Sequence, residues 1–155
     1  MIISNKQKGI TLVSLVVTVI VLLILSSVGV NMGIRGINSS KDAKLMSELE
    51  IVQHAVLEQY SKYELTKDTV YLVGNKSTSD EVKKYADELG ITLANIPENY
   101  VNKDYYRLDK ASLVAIGIKN TNDEYIINYI TGEVMNITVK KLSNNSPLYI
   151  KANSF

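Results

Sequence analysis

The strongest constraint in this sequence is an apolar stretch, from Gly9 to Ile34, that contains no charged residue. A helix of about 20 apolar residues can cross a hydrocarbon core about 30 Å thick. Between Ile10 and Val30, Leu, Val and Ile fall on every face of such a helix, so it has no polar side. Lys6 and Lys8 precede the stretch, and positively charged flanks stay cytoplasmic. The stretch therefore predicts a transmembrane helix with the rest of the chain outside.

A cleaved secretory signal is the alternative interpretation of the same stretch. Its lysine-bearing start and apolar centre are similar, and Ser27 to Gly29 offers small residues to a signal peptidase. The apolar centre here is longer than the usual run of about 7–15 residues. These features favour a retained helix and leave the cleaved signal open.

Residues Lys8 and Gly9, followed by Ile10-Thr11-Leu12-Val13-Ser14-Leu15-Val16-Val17, form a recognisable motif. This motif resembles the N-terminal signature of type IV pilins and pseudopilins. In that signature a short basic leader ends in glycine, and an apolar residue, Thr, Leu and a long aliphatic helix follow. The resemblance covers the segment up to Arg35 closely, and the plan of a long helix before a small β-rich domain covers the rest.

The resemblance implies that a prepilin peptidase cuts between Gly9 and Ile10, which makes residues 1–9 a basic leader. It also implies N-methylation of the new amino group of Ile10. An ATPase-driven assembly platform in the inner membrane would then draw the helix from the lipid bilayer into a filament of pilin or pseudopilin subunits. The residues of this assembly helix that match the motif are Ile10, Thr11, Leu12, Val13, Ser14 and Leu15.

The physical logic of this pathway suits the apolar helix. Exposing its aliphatic side chains to water would cost tens of kcal/mol in total, at about 1.5–3 kcal/mol for each. Such a helix can leave lipid only for another dry environment, and the bundled interior of a filament provides one. Cleavage before the apolar stretch keeps this helix on the mature protein.

One position departs from the family pattern. Most members carry glutamate at the fifth mature position, where this chain has Ser14. The resemblance assigns that glutamate to pairing with the N-terminal amine of a neighbouring subunit, and Ser14 cannot supply the charge. The substitution fits a minor or initiating subunit, or a lineage whose subunits set their register by another device.

Three glycines, Gly29, Gly33 and Gly36, follow the most apolar part of the stretch. Each costs about 1 kcal/mol within a helix, so they predict a weakened, hinge-like section. A small-residue packing seam is the alternative. Residues 10–34 are accordingly assigned to the transmembrane and filament-core helix, with this hinge at its end.

Residues 35–64 are predicted to form an amphipathic helix that continues the same axis. Its apolar positions are spaced by three or four residues, and polar residues lie opposite them. The apolar positions are Leu45, Leu49, Val52, Val56, Tyr60 and Tyr63, and the polar ones are Ser47, Glu50, His54, Glu58 and Ser61.

Residues 65–155 are predicted to form an outer domain. A capping box at Thr78 to Glu81 predicts a short helix that ends at Leu89-Gly90. The predicted strands are Thr69–Val73, Leu113–Ile118, a hairpin of Glu124–Tyr129 with Glu133–Val139 that turns at Thr131-Gly132, and Leu148–Lys151. The predicted fold class is α+β. A long N-terminal helix, with a transmembrane half and an amphipathic half, packs against a small antiparallel β-sheet domain.

Composition argues against several function classes. The formal net charge of +1 provides no clustered basic face for nucleic acid. Cysteine is absent, the only histidine lies on a polar helix face, and no catalytic or phosphate-binding motif appears. We therefore expect no enzyme activity, no cofactor and no metal centre. Oxygen-bearing side chains near the predicted hairpin are candidates for calcium, although a plain turn also explains them: Asn120, Asn122, Asp123 and Glu124.

Three functional hypotheses follow from the sequence. The first is a structural subunit of a type IV pilus-like or type II secretion-like filament. It would cross the bacterial cytoplasmic membrane once with its N-terminus inside, and would lie in a cell-surface filament after assembly. The second is a single-pass, membrane-anchored extracytoplasmic binding domain that does not polymerise. The third is an enzyme secreted after signal cleavage, which the absence of a catalytic motif disfavours.

Overall fold

The computed structural model describes residues 4–96 and 103–151 of the chain. Within its first helix, the side chains of residues 4–12, 23–35 and 37 are outside this description. The chain divides into two compact units, Met1–Lys41 and Asp42–Phe155. Helix α1, Ser4–Thr66, contributes residues to both units.

The second unit contains a five-stranded sheet with two further helices. The strands are antiparallel throughout, and their order in the sheet follows the chain, β1-β2-β3-β4-β5. After α1 come a 3₁₀ turn at Thr69–Tyr71, β1 at Asn75–Lys76, α2 at Ser79–Leu89, β2 at Tyr105–Leu108, α3 at Lys110–Ala115, β3 at Tyr125–Asn128, β4 at Val134–Asn136 and β5 at Tyr149–Ile150.

One face of the sheet packs against the part of α1 that lies in the second unit. Leu49, Val52 and Val56 are buried there, at the helical spacing that the sequence shows. Tyr125 and Ile127 of β3 point to the same face, because alternate residues of a strand share a side. This stripe of α1 therefore forms the main hydrophobic core of the unit.

The other face of the sheet packs against α2. Val82 and Leu89 of that helix join Ile126 and Met135, which are directly paired across β3 and β4. The predicted helix and its N-cap are confirmed: the Thr78 hydroxyl accepts a hydrogen bond from the Glu81 N–H, and α2 ends at Gly90 in the left-handed conformation. The Glu81 carboxylate, which would complete a capping box, accepts a hydrogen bond from Arg107. The second unit is thus a three-layer α/β/α arrangement.

Two predicted strands are wrong. Thr69–Val73 begins with a 3₁₀ turn, because the Asp68 carboxylate accepts a hydrogen bond from the Val70 N–H and caps that turn. Leu113–Ile118 overlaps the end of α3, whose first turn is capped by the Asp109 carboxylate. The predicted hairpin is confirmed as β3 and β4, and the last strand as β5.

The predicted transmembrane half of the N-terminal helix, residues 10–34, is also wrong. Among the described residues, no helix is both long and apolar enough to cross a membrane. The apolar side chains described in this half run from Val13 to Leu22. The side chains of residues 10–12 and 23–34, the rest of the predicted span, lie outside the described ones. The fold is therefore α+β with a small antiparallel sheet, and the part of the chain that the structure describes does not bear out the predicted membrane span.

The buried carboxylate of Glu133 lies on the face of the sheet that packs against α2. Glu133 is fully buried before β4, and each of its two oxygens accepts two hydrogen bonds. The donors to Oε1 are the Ala94 N–H at 2.9 Å and the Tyr149 hydroxyl at 2.6 Å. The donors to Oε2 are the Tyr105 hydroxyl at 2.6 Å and the Thr131 hydroxyl at 3.0 Å. Glu133 therefore links β2, β5, the hairpin turn and the segment after α2.

The Tyr105 hydroxyl beside this carboxylate stays protonated, and is therefore a donor, over the physiological pH range. Burial raises the pKa of the Tyr105 hydroxyl, and its hydrogen bond to Glu133 raises it further. A buried polar group that has all its partners stabilises and orients its neighbours, whereas one that loses them is costly. The four donors around Glu133 therefore depend on an acceptor at this position.

We expect Glu133→Gln to lower the free energy of unfolding by roughly 3 kcal/mol. The amide replaces one acceptor oxygen by a donor, so two buried donors lose bonds that are worth about 1.5–3 kcal/mol each with a charged acceptor. Urea titration followed by tyrosine fluorescence measures the change. Glu50→Gln, on the exposed face of α1, is the control and should shift stability by less than about 0.5 kcal/mol. Equal stability of the two variants would contradict the assigned role of Glu133.

Candidate assembly surface

The described part of the first unit exposes its apolar side chains on every side. Ten consecutive residues of a helix complete more than two turns, so together they cover its whole circumference. The large aliphatic side chains of this segment are between 47% and 66% exposed. They are Val13, Leu15, Val16, Val17, Val19, Ile20, Val21 and Leu22.

Such a segment is unfavourable in water. A helix that is apolar all round is normally buried in a core or another apolar environment. Neither hydrophobic cluster of the described residues includes any part of Val13–Leu22. Contiguous exposed apolar surface of this kind marks a site of interaction. We refer to Val13–Leu22 below as the apolar segment.

The two polar residues of the apolar segment do little to change its character. The Thr18 hydroxyl donates a hydrogen bond to the Ser14 carbonyl oxygen at 2.8 Å, within the same helix. A hydroxyl used in this way no longer requires water, so it is tolerated in a dry environment. Ser14 is exposed, and its hydroxyl is thus available at the helix surface.

The residues predicted to form the processing site lie at the beginning of α1. The backbone of Gly9, Ile10, Thr11 and Leu12 is helical, while their side chains are outside the described ones. Cleavage between Gly9 and Ile10 and methylation of Ile10 therefore stay predictions. Val13, Ser14 and Leu15, the other residues of the predicted assembly helix, belong to the apolar segment.

The three glycines of the predicted hinge also lie within α1. The helix runs through Gly29, Gly33 and Gly36 without an assigned break. An added Cβ at Gly36 would meet no described atom within 4 Å, so close packing does not explain that glycine. The hinge function of these residues stays a prediction.

The calcium candidates mostly have other partners. Asn122 accepts a hydrogen bond from the Lys110 ammonium at 2.9 Å, and Asp123 accepts one from the Asn136 amide at 2.8 Å. Glu124 pairs with the Arg107 guanidinium. The described residues contain no group of three or more His, Cys, Asp or Glu side chains that could hold a metal ion. Asn120, the fourth candidate, borders a cavity, and His54 is exposed as predicted.

The positive charge of Arg107 opposes the binding of a cation at Glu124. Hydrogen bonding to Glu124 raises the pKa of Arg107, which also donates to Glu81 at 3.0 Å. A bound divalent cation would have to compete with this fixed positive charge for Glu124. The geometry thus favours an ion-pair network that joins α2 to the sheet.

Comparison with known proteins adds no relative to this description. No family model, curated protein or solved structure matches the chain. The function is therefore inferred from the motif at the N-terminus and from the exposed apolar segment.

We expect Val16→Asp to prevent self-association of the chain while leaving the second unit folded. Val16 is exposed, so a charge there costs little in the isolated chain, but burying it against other copies would cost several kcal/mol. Since about 1.4 kcal/mol corresponds to a tenfold change, the concentration that stays soluble after detergent removal should rise at least tenfold. Sedimentation measures this concentration.

Ser47→Asp is the matched control for this substitution. It places the same charge at another exposed position of α1, in the second unit, and should sediment like the unmodified chain. Circular dichroism should show the same thermal unfolding for both variants. If Val16→Asp also sediments like the unmodified chain, the apolar segment is not the surface through which copies associate.

Proposed function

We propose that this chain is a structural subunit of a type IV pilus-like or type II secretion-like filament, assembled through its apolar segment. The observation that carries the proposal is the coincidence of two features in one helix. A glycine-bounded basic leader and an Ile-Thr-Leu start precede ten residues whose aliphatic side chains are exposed on all sides. The first feature supplies the processing site, and the second supplies a surface that has to be covered.

We propose that other copies of the same chain pack against the apolar segment and bury it. Helices in a bundle bury apolar side chains by packing them between the ridges of their neighbours. At about 25 cal/mol per Å² of apolar surface, burial along such a segment provides a strong driving force for association. The proposed partners are therefore other pilin or pseudopilin subunits, together with the inner-membrane platform that delivers them.

Processing by a prepilin peptidase between Gly9 and Ile10 is part of this proposal. Cleavage there removes Lys6 and Lys8, the only charged residues before Arg35, and leaves an uncharged N-terminal stretch apart from the new amine. Methylation of Ile10 would follow. We propose that the subunit is located at the bacterial cytoplasmic membrane before assembly and in a cell-surface filament afterwards.

Ser14 determines what kind of subunit the proposal describes. A glutamate at this position would bring a buried charge to each interface, whereas Ser14 brings a neutral hydroxyl at the helix surface. A hydroxyl can bond across a helix interface, but such a bond gives weaker register control than a charge pair. This supports either a minor or initiating subunit, or a filament whose register depends on shape.

The second unit supports the structural part of the proposal. It buries one core on each face of its sheet and is held by satisfied polar contacts such as those of Glu133. Its described residues contain no candidate metal centre, and its role in the proposal is to form the outer surface of the filament. The proposal assigns it no catalytic step.

The mature N-terminus tests the proposal most simply. We expect mass spectrometry of the protein isolated from its native cells to find Ile10 as the first residue, with a methyl group on its amine. Gly9→Leu, which removes the small residue before the cleaved bond, should abolish processing and leave Met1 or Ile2 at the N-terminus. Gly36→Ala serves as the control, because it changes a glycine far from the cleaved bond and should be processed normally.

Other termini in the unmodified protein would contradict the proposal. Met1 would support a non-polymerising membrane-anchored domain, and a terminus near Gly29 would support a secreted protein.

A further inference from the structure

Two large apolar side chains are exposed at the turn where α1 ends. Leu65 is 87% exposed, more than any other large aliphatic residue that the structure describes, and Val70 is 66% exposed. Neither belongs to the hydrophobic clusters of the second unit. A single exposed apolar residue is common, but two at one turn form a surface that a partner can cover. We refer to Leu65 and Val70 below as the apolar turn.

Hydrogen bonds fix the backbone of this turn. The Lys67 N–H donates to the Tyr63 carbonyl oxygen at 2.6 Å, and Lys67 has a left-handed conformation with φ of 56°. The Asp68 N–H donates to the Thr66 hydroxyl at 3.2 Å, and the Asp68 carboxylate accepts from the Val70 N–H at 3.0 Å. Because the turn is already ordered, it loses little conformational entropy when a partner binds.

A cavity of about 190 Å³ lies beside α1 in the same unit. Liquid water occupies about 30 Å³ per molecule, so the cavity has the volume of about six waters, enough for a branched aliphatic side chain. Its walls come from α1, the segment that follows α3, and β3. Two of the residues that line it are Ile51, which is 53% exposed, and the half-buried Ile118. The cavity is therefore accessible and has an apolar wall.

The apolar turn cannot fill the cavity of its own chain. Leu65 follows Ile51 by 14 residues of the same helix, which corresponds to about 21 Å along the helix axis. A leucine side chain is far too short to cover that distance. A second copy of the chain can present its own apolar turn to the cavity without this restriction.

The charges beside the two surfaces are opposite. Asp68 is exposed and pairs with no cation among the described residues, while its neighbours Glu64 and Lys67 pair with each other. Lys119 borders the cavity, is exposed, and has no hydrogen bond or ion pair within the described part of the chain. The Glu48 carboxylate at the same cavity already has an ion-pair partner. The apolar turn is thus net negative and the cavity net positive, which favours contact between them.

We propose that the apolar turn of one copy inserts into this cavity of the next copy. Leu65 packs against Ile51 and Ile118, and the Asp68 carboxylate lies beside the Lys119 ammonium. The contact rests on the proposed filament function, and it identifies how second units of neighbouring copies bind each other. Each copy offers its turn to one neighbour and its cavity to another, so the contact is heterologous and can continue along an open filament.

This contact also provides a device that sets the register of the copies. Ser14 cannot supply the charge that fixes the register in the family pattern, so the register has to come from another surface. Burial of the apolar turn supplies the affinity of the contact. The exposed ion pair contributes mainly orientation, because such pairs are individually weak.

Disulfide crosslinking in filaments sheared from cells tests the proposal. The chain has no cysteine, so Ile51→Cys combined with Leu65→Cys introduces the only two thiols. A disulfide requires Cα atoms within about 7 Å, which the distance along α1 excludes inside one chain. Oxidation should therefore link successive copies into a ladder of multimers on a denaturing gel without reductant. Asp87→Cys with Leu65→Cys, whose second thiol is exposed on α2, is the control and should give at least tenfold less multimer.

Leu65→Cys alone distinguishes the proposed contact from a twofold one. The proposed contact never brings position 65 of two copies together, so this variant should remain monomeric on the gel after oxidation. Dimers of Leu65→Cys would indicate that two turns pack against each other. Such dimers, or a double variant that gives no more multimer than its control, would overturn the proposal.

Leu65→Asp provides a readout that does not require new thiols. Because Leu65 is largely exposed, thermal unfolding of the second unit should not change, whereas the yield of sheared filaments should fall at least tenfold. Ser61→Asp, which adds the same charge at another exposed position of α1, should give the unmodified yield. Lys119→Glu, which places a carboxylate opposite Asp68, should lower the yield at least threefold. An unchanged yield for Leu65→Asp or for Lys119→Glu would overturn the proposal.

The mature N-terminus separates a failure of this contact from a failure of the filament function. Cleavage before Ile10 precedes assembly in the proposed pathway, so Leu65→Asp should have the same N-terminus as the unmodified chain. Filaments of chains that begin at Ile10 but give no ladder would contradict only the contact between turn and cavity. Absence of the unmodified chain from sheared filaments would contradict the filament function, and with it this contact.

Discussion

The second unit depends on the packing of one stripe of α1 against the sheet. Leu49, Val52 and Val56 are almost completely buried there. Burial of three aliphatic side chains contributes about 5–9 kcal/mol, which is comparable to the whole net stability of a small domain. The sheet by itself has strands of only two to four residues, so it needs this helix on one face and α2 on the other. The stability of the second unit therefore depends on this part of α1.

The same helix carries aliphatic side chains in two opposite environments. In the second unit they are buried, whereas in the apolar segment about half of each large side chain is exposed. Exposed aliphatic side chains are stable only when other apolar groups pack against them, and no described residue of the chain packs against those of the apolar segment. A filament interior made of equivalent helices satisfies that requirement without a change in the second unit. This is the physical basis for interpreting the chain as an assembling subunit.

Local signals in the sequence were reliable where a few neighbouring residues decide the structure. The N-cap at Thr78 and the hairpin of β3 and β4 were predicted because their hydrogen bonds are local. The two wrong strands had the composition of strands, but Asp68 and Asp109 cap turns of helix at those places. Strand β2 was missed because four residues without a clear alternation carry little signal, and its place is set by pairing with β3.

The candidate sites also differ in how far the sequence could predict them. The apolar segment was evident from composition, although the membrane span predicted from it was wrong. The partners of Glu133 come from four separate parts of the chain, so no sequence pattern could indicate this site. The partners of the calcium candidates could not be predicted from the sequence either, because residues such as Arg107 and Glu124 are distant along the chain.

The central claim is that the apolar segment becomes dry inside an assembly of copies. The chain has no cysteine, so Val16→Cys and Glu50→Cys each introduce a single thiol. In filaments sheared from cells and freed of lipid, the thiol at position 16 should react with a water-soluble maleimide at least tenfold more slowly than the thiol at position 50. Equal rates, or absence of the chain from the sheared filaments, would contradict the claim.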